Sequence, residues 1–300
     1  MPITEEQRQR RRKGIGSSDV PAILGLDTYR SASQVWAEKV HDLQPDETCE
    51  AAELGNMFEP ALVQWAASEL GFPFAEPAEI EHRDGIHRAN LDGYSPQRRL
   101  GIEAKTVGLV GPGDDIDQWD THNLIPSARC IVQCQAQCYV AGLDVVYVPV
   151  LLGRGVGRFL MKVERDDDFI AAMVIRTTRF WQHVEDRKQV SDAPLPLETL
   201  KRMKREHKTV EIEDRVYHNY VRARDDYKQA EAIYKEAQSD LIASMGDADH
   251  ATCSLGEFFY DLRSRQSVDT KALKMDHPDV YAKVRRETTY RFPRIKLAKG

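Results

Sequence analysis

The sequence predicts an α/β (α+β) fold: a mixed β-sheet core flanked by helices over residues 1–190, with a helical and β-hairpin extension over residues 191–300. Three observations carry this. Apolar residues recur at three- and four-residue spacing in several segments of helical length. Between those segments lie short alternating or β-branched runs set off by turn signals, as strands are. Past Pro194 and Pro196 the chain changes to long, charged helix.

A helical pattern runs from Ile23 to Val40, with Val35 and Trp36 on its apolar side and Gly25, Asp27 and Ser31 breaking its early part. A stronger helix spans Glu50 to Leu70, where Leu54, Phe58, Ala61, Leu62 and Trp65 share one face and Gly71 ends it. The period then changes. Ala78 to Arg83, His87 to Tyr94 and Leu100 to Val107 read as strands separated by turns at Asp84-Gly85 and Ser95-Pro96. A loop rich in Gly and Asp, Gly108 to Pro126, leads to a helix from Ser127 to Ala141, closed by Gly142. Val145 to Leu152 is apolar enough for a buried strand, and Arg158 to Glu164 returns after the Gly153 to Gly157 turn. Phe169, Met173, Phe180 and Val184 mark a helix from Asp167 to Val184. This order is that of a mixed sheet with helices on its faces. In the extension, Tyr220, Ala223, Tyr227, Ala230, Tyr234, Ala237 and Leu241 form a heptad-like seam. Such a seam suits close packing on another helix, of the same chain or of another subunit. Strand, turn and strand follow over Thr252 to Ser267, then a short helix and a last strand near Tyr290 to Leu297.

Hydrophobic residues make up 41% of the chain and charged ones 30%, the balance of a globular protein. No stretch approaches the roughly 18 uncharged apolar residues of a membrane span, and the polar start, Met1 to Lys13, is no secretory signal. A cytoplasmic protein with reduced thiols is expected from this and from the odd count of 5 cysteines. Net charge is -6, which on average disfavours a polyanion, yet basic clusters stand at Arg8 to Lys13, Lys201 to Lys208 and Lys283 to Lys299. Local charge decides, because salt screens a field beyond about 8–10 Å.

The segment richest in chemistry is Asn90-Leu91-Asp92-Gly93, followed by Glu103-Ala104-Lys105. Glu103 and Lys105 are two apart on a strand and point to one face, with Asp92 at the end of the neighbouring strand. Two carboxylates with the Ala104 carbonyl between them suit Mg²⁺, which takes hard oxygen ligands and keeps water and phosphate in its shell. A lysine beside such a cation can hold or deprotonate an attacking water. Taken alone, a Glu-x-Lys strand reads more readily as a salt-bridged edge. Glu59, at the border of the apolar arc of its helix, and Gln133, one turn before Gln137, add polar groups able to face the same sheet.

Five motifs, Arg11 to Val20 (RRKGIGSSDV), Gly55 to Pro60 (GNMFEP), Leu91 to Tyr94 (LDGY), Gly101 to Lys105 (GIEAK) and Val132 to Ala136 (VQCQA), stand in family order. Over roughly residues 8–165 the chain resembles the YqaJ-like viral recombinase nucleases of the PD-(D/E)xK superfamily, relatives of phage lambda exonuclease. The resemblance implies a restriction-endonuclease-like core and a Mg²⁺-dependent exonuclease, with Mn²⁺ substituting, that degrades linear duplex DNA 5′ to 3′. It implies that Asp92 and Glu103 bind metal together with the Ala104 carbonyl, that Lys105 activates water and that Glu59 supports the metal cluster. Gln133 would orient Lys105 or the water, and Arg11 and Ser18 occupy the positions that grip a 5′-terminal phosphate. A single-strand annealing recombinase would take the product in the bacterial host cell, and identical subunits would close into a ring, three in the relatives. Asn90-Leu91 departs from the small residue and proline that relatives often carry.

Rival readings are an endonuclease of the same superfamily and a DNA-end-binding adaptor with a degenerate site. Gly14 to Asp19 follows no buried strand and is no dinucleotide loop. Cys130, Cys134 and Cys138 share a helix face without the loop spacing of thiolate metal sites, so they read as small packing residues. The 9 histidines form no HxxxH or HxH pair, against a zinc hydrolase.

Overall fold

The structure, a computed structural model, describes residues 5–43, 50–75, 77–110, 116–191, 193–204, 209–262, 264 and 268–285. The chain divides into two compact units, Met1–Arg205 and Glu206–Gly300. In the first, α1 (Glu5–Arg12) leads through β1 (Ile15–Gly16) and a 3-10 turn into α2 (Val20–Ile23). The helix expected from Ile23 begins only at α3 (Ala32–Val40). Gly25 turns the chain at φ 78° and Asp27 accepts the Tyr29 N–H, after which Ser31 caps α3 by accepting from the Gln34 N–H. α4 (Glu50–Leu70) buries Leu62 and Ala66, a narrower face than its sequence suggests, since Phe58 and Ala61 are exposed.

Strands β2 (Ala78–Glu81), β3 (His87–Leu91), β4 (Gly93–Ser95), β5 (Leu100–Ile102) and β6 (Lys105–Val107) precede α5 (Ala128–Ala141). β7 (Val145–Leu152) and β8 (Gly157–Glu164) then form a hairpin, and α6 (Asp167–Glu185) and α7 (Leu197–Arg202) complete the unit. β7 is the central strand. It runs parallel to β5 through its first half and to β6 through its second, and antiparallel to β8 along its whole length. β4 extends this sheet beside β5, while β3 pairs with β1 and β2 in a second, three-stranded sheet. Val146, Val148 and Val150 of β7 are fully buried and share the core with Cys134 and Cys138 of α5 and Met173 of α6. Gly142, at φ 64°, ends α5 and donates its N–H to the Cys138 carbonyl.

The second unit begins with α8 (Asp214–Met245), a single helix of 32 residues. The hairpin of β9 (His250–Cys253) and β10 (Gly256–Phe259) follows, then α9 (Thr270–Asp276) and α10 (Pro278–Val284). No residue of α8 is buried, and among the described residues no second long helix of the chain packs on its seam. The strand expected near Tyr290 to Leu297 lies outside the described residues. No described helix is long and apolar enough to cross a membrane.

Candidate active site

Two strands expected to be continuous are each interrupted at an acid. β3 gives way to β4 at Asp92, and β5 to β6 at Glu103-Ala104. No residue is inserted at the second break, because Ile102 pairs with Tyr147 and Lys105 with Val150 in one register. The backbone amides have found other partners. The Glu103 N–H stays on the Tyr147 carbonyl at 3.0 Å, whereas the Ala104 N–H donates to Asp92 Oδ2 at 2.8 Å. Asp92 N–H donates in turn to the Ile102 carbonyl at 3.1 Å, so the two acids are locked side by side by main chain.

Glu103 is 4% exposed, and its carboxylate is surrounded by donors. Oε1 accepts from Gln133 Nε2 at 2.6 Å and from the Lys105 ammonium, and Oε2 accepts from Gln137 Nε2. Lys105 Nζ also donates to Gln133 Oε1 at 3.2 Å. Burial works against the charged ammonium, but the Glu103 carboxylate beside it holds the Lys105 pKa above the usual lysine range. Asp92 has as its hydrogen-bond partner among the described residues the Ala104 N–H, and burial together with the charges of Glu103 and Glu59 pushes it up to about 8. Glu59, half-buried on α4, is raised by burial and by Glu103.

The structure thus brings Asp92, Glu103, Lys105 and Gln133 into contact range of one another. Glu59 lines a groove of about 700 Å³ together with Ala104, Lys105 and Gln133. Arg11 and Ser18 line a smaller cavity of about 180 Å³ whose wall includes Asp92, Glu103 and Gln133. Arg10, of the basic cluster, and Ser17, of the first motif, line it too, as does Arg88, which the sequence did not single out. Gln137 was also missed as a site residue. It is fully buried, bonds both Glu103 and the Asn90 carbonyl, and lies one helical turn from Gln133, which is the signal that marks it. Its Oε1 is buried without a hydrogen-bond partner among the described residues.

Among the described residues, no three His, Cys, Asp or Glu side chains gather into a group able to hold a metal ion, since Glu103 is turned to Lys105 and the two glutamines. The donor set still fits a hard divalent cation: two crowded carboxylates and the Ala104 carbonyl offer only oxygen, and a dication would relieve the repulsion that raises Asp92. Cys130, Cys134 and Cys138 are buried and free; burial pushes the Cys138 thiol up to about 12 and Cys134 well above the usual range, as befits packing residues.

Residues 7–144 match the family model of the YqaJ-like viral recombinase domain. The Bacillus subtilis (strain 168) uncharacterized protein YqaJ is 26% identical over 305 residues, covering 94% of this chain and 90% of that protein. The crystal structure of an alkaline exonuclease, LHK-Exo from Laribacter hongkongensis, superposes with a TM-score of 0.51 at 20% identity, covering 61% of this chain and 94% of that one. The structure of LHK-Exo in complex with dAMP matches to the same extent. The shared backbone is a mixed α/β fold with helices flanking the sheet. The matched segment begins within α1, ends just past α5 and contains both acids, the lysine and both glutamines; over it the chain is similar to the YqaJ-like viral recombinase domain, the domain of a nuclease family.

Proposed function

We propose that this protein is a Mg²⁺-dependent exonuclease, served also by Mn²⁺, that degrades linear duplex DNA from its 5′ ends and leaves single strands for an annealing recombinase of the phage type. One observation carries the reading: Gln133 and the Asp92–Glu103–Lys105 cluster stand between two cavities of unequal size. The smaller, lined by Arg11, Arg88 and Ser18, has the dimensions and donors for a terminal phosphate, which guanidinium and hydroxyl groups bind through charge-assisted hydrogen bonds. The larger groove, lined by Glu59, Lys105 and Thr106, takes the polymer. A phosphate seated in the first cavity sets the first phosphodiester bond against the carboxylates, and cleavage from the 5′ end follows. The dAMP bound by LHK-Exo, a mononucleotide, agrees with stepwise release of the same product class.

Asp92, Glu103, the Ala104 carbonyl and Glu59 are the groups that would hold the cation. When bound, it polarises the scissile phosphate and lowers the pKa of the attacking water. Lys105 carries its proton in this hydrogen-bond set, so it orients the water or a phosphate oxygen by donating, and it can accept a proton only once Glu103 ceases to hold it charged. Gln133 fixes the Lys105 ammonium, and Gln137 fixes the plane of the Glu103 carboxylate.

The test uses purified protein with end-labelled linear and closed circular duplexes, with and without Mg²⁺. Linear DNA should be digested only with the cation and the circle left intact, and Asp92→Asn and Glu103→Gln should abolish digestion while retaining binding to ends. Nicking of the circle would make the protein an endonuclease. Binding to ends without cleavage would make it an adaptor.

A further inference from the structure

Tyr29, in the loop between α2 and α3, and Arg129, at the start of α5, both line the groove of about 700 Å³ beside the carboxylates. The Arg129 guanidinium stands 5.1 Å from the centre of the Tyr29 ring, and Tyr29 is 62% exposed. Asp27 fixes the pair. Its side chain is fully buried; Oδ1 accepts the Tyr29 N–H at 2.8 Å, and Oδ2 lies 3.4 Å from Arg129 Nε with no hydrogen-bond partner among the described residues. A single exposed tyrosine needs no explanation. Loop tips are ordinarily mobile, however, and this one is anchored by a buried carboxylate and carries a guanidinium on its ring. Two other arginine–aromatic pairs, Arg98 over Phe72 and Arg158 over Trp65, line neither the groove nor the smaller cavity. Arg129 also precedes Gln133 by one helical turn, so the two side chains leave one side of α5 with Cβ atoms about 5–6 Å apart. Gln133 bonds Glu103 and Lys105, which sets the aromatic pair one short step along the groove from the acids.

We propose that the Tyr29 ring, backed by Arg129, is a stacking platform for a base of the strand being cut, close to the scissile bond. The inference rests on the nuclease reading above and deepens it. Every base has a flat π-face, so an aromatic ring grips a strand without reading its sequence. An enzyme that digests through any sequence from an end needs a hold of this kind. The guanidinium supplies a positive charge beside the ring, and its planar fork of N–H groups can take a phosphate oxygen of the stacked nucleotide while staying on the ring. Stacking of one base contributes a factor of roughly 5 to 150 in affinity.

The test measures binding of the full chain to 5′-phosphorylated duplex ends without a divalent cation, so that nothing is cut. Single abasic sites are placed in turn at the first few nucleotides of either strand. In the parent one position should stand out, losing affinity roughly 5- to 150-fold when its base is removed. Tyr29→Ala should lose a similar factor on the intact duplex, lose nothing further at that abasic position and keep the parent's melting temperature. Tyr29→Phe should recover most of the affinity. A flat abasic profile in the parent, parent-like binding by Tyr29→Ala, or a Tyr29→Ala loss accompanied by a lowered melting temperature would overturn the proposal, the last by making the ring a support of its loop. Digestion of the same linear duplexes by the parent in Mg²⁺ checks the underlying reading separately. Without digestion the platform and that reading fall together, whereas digestion with a flat abasic profile removes the platform alone.

Discussion

The Lys39 ammonium lies 2.6 Å from Asp19 Oδ2, and both side chains are almost fully buried beneath β1. The pair is a junction. Asp19 also accepts the Gly16 N–H at 3.1 Å and an Arg30 guanidinium bond at 3.1 Å, while Lys39 reaches the Arg11 carbonyl at 2.7 Å and Arg30 the Ser18 carbonyl at 3.0 Å. The main chain at Arg11, Gly16 and Ser18, around the smaller cavity, is therefore tied to one buried carboxylate. Removing one partner of a buried pair leaves the other uncompensated, a loss of about 3–5 kcal/mol. Lys39→Met should lower the urea midpoint accordingly with an unchanged slope, and an Asp19→Asn/Lys39→Met double variant should lose less than the sum of the two single losses.

Acid should act through the same carboxylate. Burial alone would raise Asp19, but the charges of Lys39 and Arg30 hold it well below the usual carboxylate range. A group whose folded pKa is depressed contributes stability that is complete above its unfolded pKa, about 3.9 for Asp, and is lost as the pH falls towards the folded one. Parent stability should thus decline steeply below about pH 4. Asp19→Asn should be weaker at neutral pH and decline less steeply in acid. His87, lowered by burial, also takes stability away as the pH falls below about 6.5, but it does so in parent and variant alike and cancels in the comparison. Parallel acid limbs for parent and variant would remove Asp19 as the source.

Gln137→Leu keeps the volume of a fully buried side chain and deletes its bonds to Glu103 and the Asn90 carbonyl. A hydrogen bond to a charged group contributes about 1.5–3 kcal/mol, or roughly 10- to 150-fold in rate when the bond positions a reacting carboxylate. kcat on linear duplex should fall within that span while the Kd for duplex ends stays constant. A change confined to Kd would place Gln137 in substrate binding instead.

The helices α5 and α6 and the β7–β8 hairpin were legible because their burial patterns are periodic and local. The interruptions at Asp92 and Glu103-Ala104 were not, because they arise when the Ala104 amide turns to a side chain twelve residues away, a contact that leaves no trace in periodicity. Asp92, Glu103 and Lys105 were found through residue type and spacing. Gln137 and Arg88 escaped for opposite reasons: a buried glutamine looks like any polar residue on a helix, and an arginine in a strand looks like surface. The seam of α8 was visible as a repeat, but periodicity alone does not say which helix covers it.

Gly14 offers a way to move the smaller cavity while keeping every charged residue that lines it. An added Cβ would stand 2.5 Å from the Ile86 carbonyl oxygen and 2.7 Å from Arg88 Nε. The carbonyl is held in place, since it accepts the Ile15 N–H at 2.8 Å, and β1 rests on β3 through Ile15 opposite His87 and Gly16 opposite Arg88. Gly14→Ala must therefore push β1 off β3, carrying Ser17 and Ser18 with it, at a loss of about 1–3 kcal/mol, the usual penalty of overpacking. Glu103, Lys105 and the two glutamines belong to the β5–β6 segment and α5, and Asp92, at the β3–β4 junction, is held to that segment by its bonds with the Ala104 N–H and the Ile102 carbonyl, so they stay in place. Digestion should persist, while the ratio of rates on 5′-phosphorylated and 5′-hydroxyl duplex ends falls towards one. Arg11→Ala should lower the same ratio with little loss of stability, because its side chain is exposed. If Gly14→Ala kept the parent ratio while losing stability, the phosphate would have to be read elsewhere than in the cavity beside β1.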